Sequence, residues 1–234
     1  MPIYKGNTKI GTIYRGGTVI GQVYKGSQLV YSSRNFPAEQ IIVNSAVGNE
    51  TGTFTLKSTQ RFYVEMYGGG AGGSSSQRDK KWFYGPGGSG AGFAGIIKLP
   101  AGTYTWTVGA AGYGYNINNT LNMSGSFPGG DSTLINTTTG QTFVLAGGAP
   151  ANYAPGVSNG VAIKGAGGTI TVKDDAVVSY TKKSNGNYGG GDKGNVGGES
   201  LFDNTLTGYG AGNNSFINGG TRYAVAGFVQ IKAL

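Results

Sequence analysis

Short glycine runs recur between the apolar segments of this chain, and they limit what it can fold into. They include Gly68-Gly69-Gly70-Ala71-Gly72-Gly73, Gly85 to Gly92, Gly109 to Gly114, Gly147-Gly148, Gly165 to Gly168, Gly189 to Gly198 and Gly208 to Gly212. Glycine adopts backbone angles closed to other residues and lets chains approach closely. Repeated runs therefore suggest backbone lying on backbone with few side chains between. Their spacing is irregular, which excludes a collagen triple helix. The 47 glycines and 7 prolines approach the share found in disordered low-complexity chains. Yet the chain also carries 15 Tyr, 10 Phe and 2 Trp, and disordered chains are poor in aromatics because they build no core. The reading is a folded protein with long glycine-rich loops.

Between the runs, apolar alternation at period two marks strands. Thr53 to Lys57, Phe62 to Tyr67, Gly95 to Leu99, Thr103 to Val108, Ser132 to Ile135, Thr142 to Ala146, Thr169 to Val172, Val177 to Thr181 and Tyr223 to Lys232 all read this way. No amphipathic helical stretch of twelve residues is visible. The expected fold is all-β: a short N-terminal hairpin or meander repeat module, then a glycine-rich antiparallel sandwich-like domain.

The N-terminal module is a ten-residue repeat: IYKGNTKIGT, IYRGGTVIGQ, VYKGSQLVYS. Ile3, Ile13 and Val23 correspond, as do Tyr4, Tyr14 and Tyr24. Each unit places a β-branched residue and an aromatic before a glycine turn, which reads as strand, turn, strand. So short a unit cannot bury its own apolar face, so these six residues are candidates for oligomerisation or attachment. Residues 33–40 read as a linker. The chain divides into residues 1–35, the repeat module, and 36–234, the outward-facing glycine-rich domain.

Cysteine and histidine are both absent. That removes disulfides, thiolate metal sites, Ser-His-Asp chemistry and most zinc sites. With 10 acidic residues and no metal-loop spacing among them, the reading is no enzyme, no cofactor and no metal. Gly90-Ala91-Gly92-Phe93-Ala94-Gly95 matches a dinucleotide fingerprint on paper, but it leads into a strand and offers no helix N-terminus. The net charge of +8 is scattered, with no arginine-rich arm, so nucleic acid is not the expected partner. No apolar h-region and no long apolar run predict neither a secretory signal nor a membrane span.

Recognition candidates are aromatic and cationic residues set among glycines. Gln77 to Tyr84 reads as a flexible loop carrying Arg78, Lys80, Lys81, Trp82, Phe83 and Tyr84. Aromatic faces stack on sugars, and Lys or Arg engage anionic groups. The same segment could instead fold back as an anchor for its loop. Tyr113, Tyr115, Tyr153, Tyr188 and Tyr209 also sit in or beside glycine runs. They would form a sugar-binding face or cap a β core.

Phe62-Tyr63-Val64-Glu65-Met66-Tyr67 runs straight into Gly68-Gly69-Gly70. Ala91-Gly92-Phe93-Ala94-Gly95 then leads into a strand, and the stretch Pro100 to Gly112 (PAGTYTWTVGAAG) follows. Gly129 to Thr133 (GGDST) and the closing Gly227-Phe228-Val229-Gln230-Ile231 complete the series. This order resembles a glycine-rich C-terminal domain of phage tail and fibre proteins, over roughly residues 50–234. The front repeat also looks like short N-terminal modules on virion proteins of phages infecting gut bacteria. The resemblance implies a virion-surface adhesin or display protein. It further implies a homotrimer whose partners are other virion proteins and a host-surface glycan. A capsid-decorating or head-fibre protein and a small glycan depolymerase are the alternatives. Some members pack glycine segments as polyglycine-type helices. Interruption of the runs here by Asn, Ser, Asp and Tyr argues against a large lattice of that kind.

Overall fold

The structure, a computed structural model, describes residues 3–5, 8–10, 13–15, 18–20, 22–25, 28–32, 35–78, 81–118, 126–151, 165–172, 174–189, 197–205, 208–212 and 221–234. At the N-terminus β1 (Ile3–Lys5) pairs with β2 (Thr8–Ile10), β3 (Ile13–Arg15) with β4 (Thr18–Ile20), and β5 (Gln22–Lys25) with β6 (Gln28–Ser32), each antiparallel.

Two five-stranded sheets follow. The first is built from β7 (Ile41–Ser45), β9 (Gln60–Tyr67), β12 (Gly92–Leu99), β18 (Val177–Ser184) and β20 (Phe228–Ala233), in the order β18-β12-β9-β20-β7. The second holds β8 (Thr51–Leu56), β13 (Gly102–Thr107), β15 (Ser132–Asn136), β16 (Thr142–Leu145) and β17 (Ile170–Thr171), in the order β17-β16-β15-β13-β8. Every pairing within both sheets is antiparallel. The fold is an all-β sandwich.

Alternation explains the core. Along β9, Gln60, Phe62, Val64 and Met66 are buried while the residues between them are not fully covered. Phe62, Val64, Met66, Val229 and Ile231 of one sheet meet Phe54, Tyr104, Leu134, Phe143 and Leu145 of the other. Each such large side chain contributes about 1.5–3 kcal/mol by leaving water. Residues 35–36, within the expected linker, pack on this core. Phe36 makes edge contacts with Phe54 and Phe62, and Asn35 donates from its side chain to the Ser58 carbonyl at 2.8 Å.

Among the described residues, the glycine runs pack against one another rather than standing out as separate loops. They leave the sandwich strands at one end and pack side by side as extended segments that include 68–73, 86–91, 109–112, 127–130, 146–151, 165–168, 185–189, 210–212 and 224–227. Their hydrogen bonds run between segments with a repeat of three. Gly68 and Ala71 donate to Ala91 and Gly88 of one neighbour, at 2.9 Å each. Gly69 and Gly72 donate to Gly130 and Phe127 of a second, and Gly70 donates to Val225 of a third. The Gly69 and Gly70 carbonyls accept from Gly148 and Gly112 of two more. A sixth neighbour, 210–212, lies where a side chain on Gly70 would point. Three residues per turn with no internal hydrogen bonds is the geometry of a polyproline II-type helix. The expectation against a glycine lattice is therefore overturned. Among the described residues, Ala71, Ser89, Ala91 and Ala211 are small enough to be enclosed, while Tyr188 stands exposed.

One side chain joins the two layers. Ser132 Oγ accepts from Gly109 N at 2.8 Å and donates to the Tyr67 carbonyl at 2.6 Å, fully buried. Ser132→Ala leaves a buried N–H and a buried C=O without that partner. It is expected to cost about 2 kcal/mol, read as a lowered urea midpoint with unchanged slope.

Candidate functional site

Four glycine segments run on, away from the sandwich, into a third sheet. Segment 68–73 leads from β9 into β10 (Ser74–Arg78), and β11 (Lys81–Gly85) returns through 86–91 to β12. Likewise 109–112 lead from β13 to β14 (Tyr113–Asn118), and β19 (Thr221–Tyr223) returns through 224–227 to β20. These strands form one apical sheet in the order β11-β10-β14-β19. Sandwich, glycine bundle and apical sheet are thus stacked along one axis. The strand expected over 223–232 is three elements instead: the end of β19, a bundle segment and β20.

The segment Gln77 to Tyr84, expected as a flexible loop, contains two antiparallel strands. Arg78 pairs with Lys81, Gln77 with Trp82, Ser76 with Phe83 and Ser75 with Tyr84. β10 also pairs in parallel with β14, and Tyr115 of β14 pairs with Thr221. One sheet therefore gathers the backbones of Arg78, Lys81, Trp82, Phe83, Tyr84, Tyr113 and Tyr115, which lie far apart in sequence. Lys80 and Tyr153 lie outside the described residues.

Where side chains are described, the apex carries an aromatic cluster. The half-buried Tyr113 ring stacks on Phe127, with centroids 4.2 Å apart and planes 17° apart. Tyr223, its register partner, lies 5.8 Å away at 47°. Tyr223 is 68 % exposed and Phe127 36 %. Phe127 is held by its backbone: its N–H donates to the Tyr113 carbonyl at 2.8 Å, and its own carbonyl accepts from Gly72 at 3.0 Å. Exposed rings on a hydrogen-bonded frame can stack on a flat apolar face with little entropy left to lose. Sequence reasoning missed Phe127 and placed Tyr223 at the start of a strand over 223–232. The signal for Phe127 was its setting, an aromatic followed by Pro128-Gly129-Gly130.

The remaining candidates separate. Tyr188 is 71 % exposed in segment 185–189, which bonds to segment 165–168. Tyr209 is half-buried: it stacks on Phe228 at 4.6 Å and meets Phe202 edge-on, in a cluster with Tyr67 where bundle joins sandwich. Lys182 sits 5.6 Å over the Tyr67 ring and donates to the Phe202 carbonyl. Of the oligomerisation candidates, Ile3 pairs with Ile10, Tyr4 with Lys9, Ile13 with Ile20, Tyr14 with Val19, Val23 with Tyr31 and Tyr24 with Leu29.

Among the described residues, the perturbed acid–base groups lie in the sandwich. Burial, then the Glu65 charge, and then the hydrogen bond to Glu65 raise the phenols of Tyr67 and Tyr63. The Tyr67 hydroxyl donates to Glu65 Oε1 at 2.9 Å. Burial also raises Tyr104, and a hydrogen bond from Asn136 partly offsets it. Such values mark groups kept neutral by packing, not poised for proton transfer near pH 7. No protein-family model matches the chain, and no curated protein matches it.

Proposed function

We propose that this chain is a bacteriophage virion protein, a tail-fibre or tail-tip adhesin that binds a host-surface polysaccharide through its apical sheet. The observation that carries the recognition half of this reading is the convergence of Arg78, Lys81, Trp82, Phe83, Tyr84, Tyr113 and Tyr115 on one four-stranded sheet, beside the exposed rings of Phe127 and Tyr223. Ring faces suit sugars, and the cations suit the carboxylates or phosphates common on envelope polymers. The glycine bundle beneath is a stalk that holds the sheet away from the sandwich. Residues 1–35 would join copies of the chain, as a trimer, to the particle. The virion assignment rests on the sequence resemblance.

The test is binding of the labelled full chain to a panel of bacterial envelopes, beside a Trp82→Ala, Tyr84→Ala, Tyr223→Ala variant. Saturable binding to one envelope, weakened at least about 30-fold in the variant, is the expected result, since truncating an aromatic hot spot costs about 2 kcal/mol or more. Binding that the variant retains in full would take recognition away from the apex. Binding to no envelope, the true host included, would favour a protein that contacts only other virion components.

A further inference from the structure

The two outer faces of the sandwich differ sharply in chemistry. On the β9 sheet, residues that point away from the core or lie uncovered include Arg61, Glu65, Lys98 and Lys232, the last paired with Glu39 at 2.7 Å. On the β13 sheet no strand residue carries a charge. One row of registered positions crosses all five strands as Thr51, Thr107, Thr133, Val144 and Thr171. The next runs Thr53, Thr105, Ile135 and Thr142. None of these nine is buried within the chain.

We infer that this threonine face is the surface through which copies of the chain associate. The inference rests on the proposed self-association and is independent of glycan binding. Charge is the first argument. Copies carrying +8 repel one another, and interface centres are depleted of charge. A face without charge is where a second copy can approach. Desolvation is the second. Several of the hydroxyls already have partners inside the sheet, so covering them strands few polar groups. Thr51 donates to the Trp106 carbonyl at 2.7 Å, Thr107 donates to Thr51 at 3.4 Å, and Thr55 and Thr103 lie 3.3 Å apart.

The absence of cysteine makes a direct test possible. Thr105→Cys places a single thiol at the centre of this face, and Asn44→Cys places one on an exposed position of the other sheet. Under matched mild oxidation of the full chain, Thr105→Cys should form covalent dimers at least about tenfold faster. Sedimentation should show the unmodified chain associating, and Thr105→Lys weakening that association at least about tenfold, because a charge would be buried without a partner. Circular dichroism verifies that each variant is folded. Equal cross-linking rates, or an association that Thr105→Lys leaves intact, would overturn the inference while leaving self-association through another surface such as the β1–β6 hairpins. A chain that sediments as a monomer at every concentration would overturn both.

Discussion

Gly70→Ala is expected to cost at least about 3 kcal/mol, enough to lower the melting temperature by roughly 6–12 °C or more in a chain of this size. A Cβ at Gly70 would overlap the carbonyl oxygen and carbon of Ala211 and crowd the Gly210 carbonyl. These are backbone atoms, so no rotamer change relieves the clash. The segment 68–73 is surrounded by six others, so displacing 210–212 also disturbs the bonds from Gly90 to Gly210 and from Val225 to Ala211. Lys57→Ala, exposed beyond the end of β8, is the control and should stay within about 0.5 kcal/mol. Thermal melts of the two variants beside the parent chain decide the matter. A Gly70→Ala melt equal to that of Lys57→Ala would mean that the bundle does not pack backbone on backbone.

The second large effect concerns alkaline pH. The Tyr67 and Tyr104 phenols are raised above their ordinary value of 10.0 in the folded chain. In the window above pH 10 the folded state therefore holds protons that the unfolded chain has released. The stability tied to these groups is fully present below pH 10 and is lost as pH rises beyond it. Each retained proton steepens the loss by about 1.4 kcal/mol per pH unit. Urea midpoints should be flat from pH 8 to 9.5 and fall steeply above 10. Phenolate absorbance should appear in part only as the chain unfolds. Tyr67→Phe removes one raised phenol and should shallow the fall. A slope unchanged by that substitution would show that Tyr67 ionises without hindrance in the folded chain.

How far the sequence disclosed this architecture depended on whether side chains recorded it. β9 was legible because Phe62, Val64 and Met66 alternate with residues that face outward. β15 and β16 were legible for the same reason. β10 was not: Ser74-Ser75-Ser76-Gln77-Arg78 has no apolar alternation, and its strand is set by backbone pairing with β11 on one side and β14 on the other. The bundle was the least legible part. Its period of three lies in which neighbour each N–H meets, and the amino acids on both sides of each bond are mostly glycine. Gly69 and Gly130 are bonded across a long stretch of chain, and no difference in residue type marks either as the partner of the other. The apical site was read in pieces. Trp82, Tyr84 and Tyr113 stood out as aromatics near glycine, but only the parallel pairing of β10 with β14 puts them on one sheet. Tyr223 enters the site through the antiparallel pairing of β14 with β19, and Phe127 through its stacking on Tyr113; neither contact has a sequence signal.

The direction of the hydrogen bonds in the glycine bundle has a mechanical consequence. They lie across the segments, and four of those segments connect the apical sheet to the sandwich. A pull on the apex along the axis therefore loads these lateral bonds together in shear, and many must give before the layers part. A sideways peel would break them one at a time. The bundle is stiffest along the line from tip to base, with almost no side chains to rearrange under load.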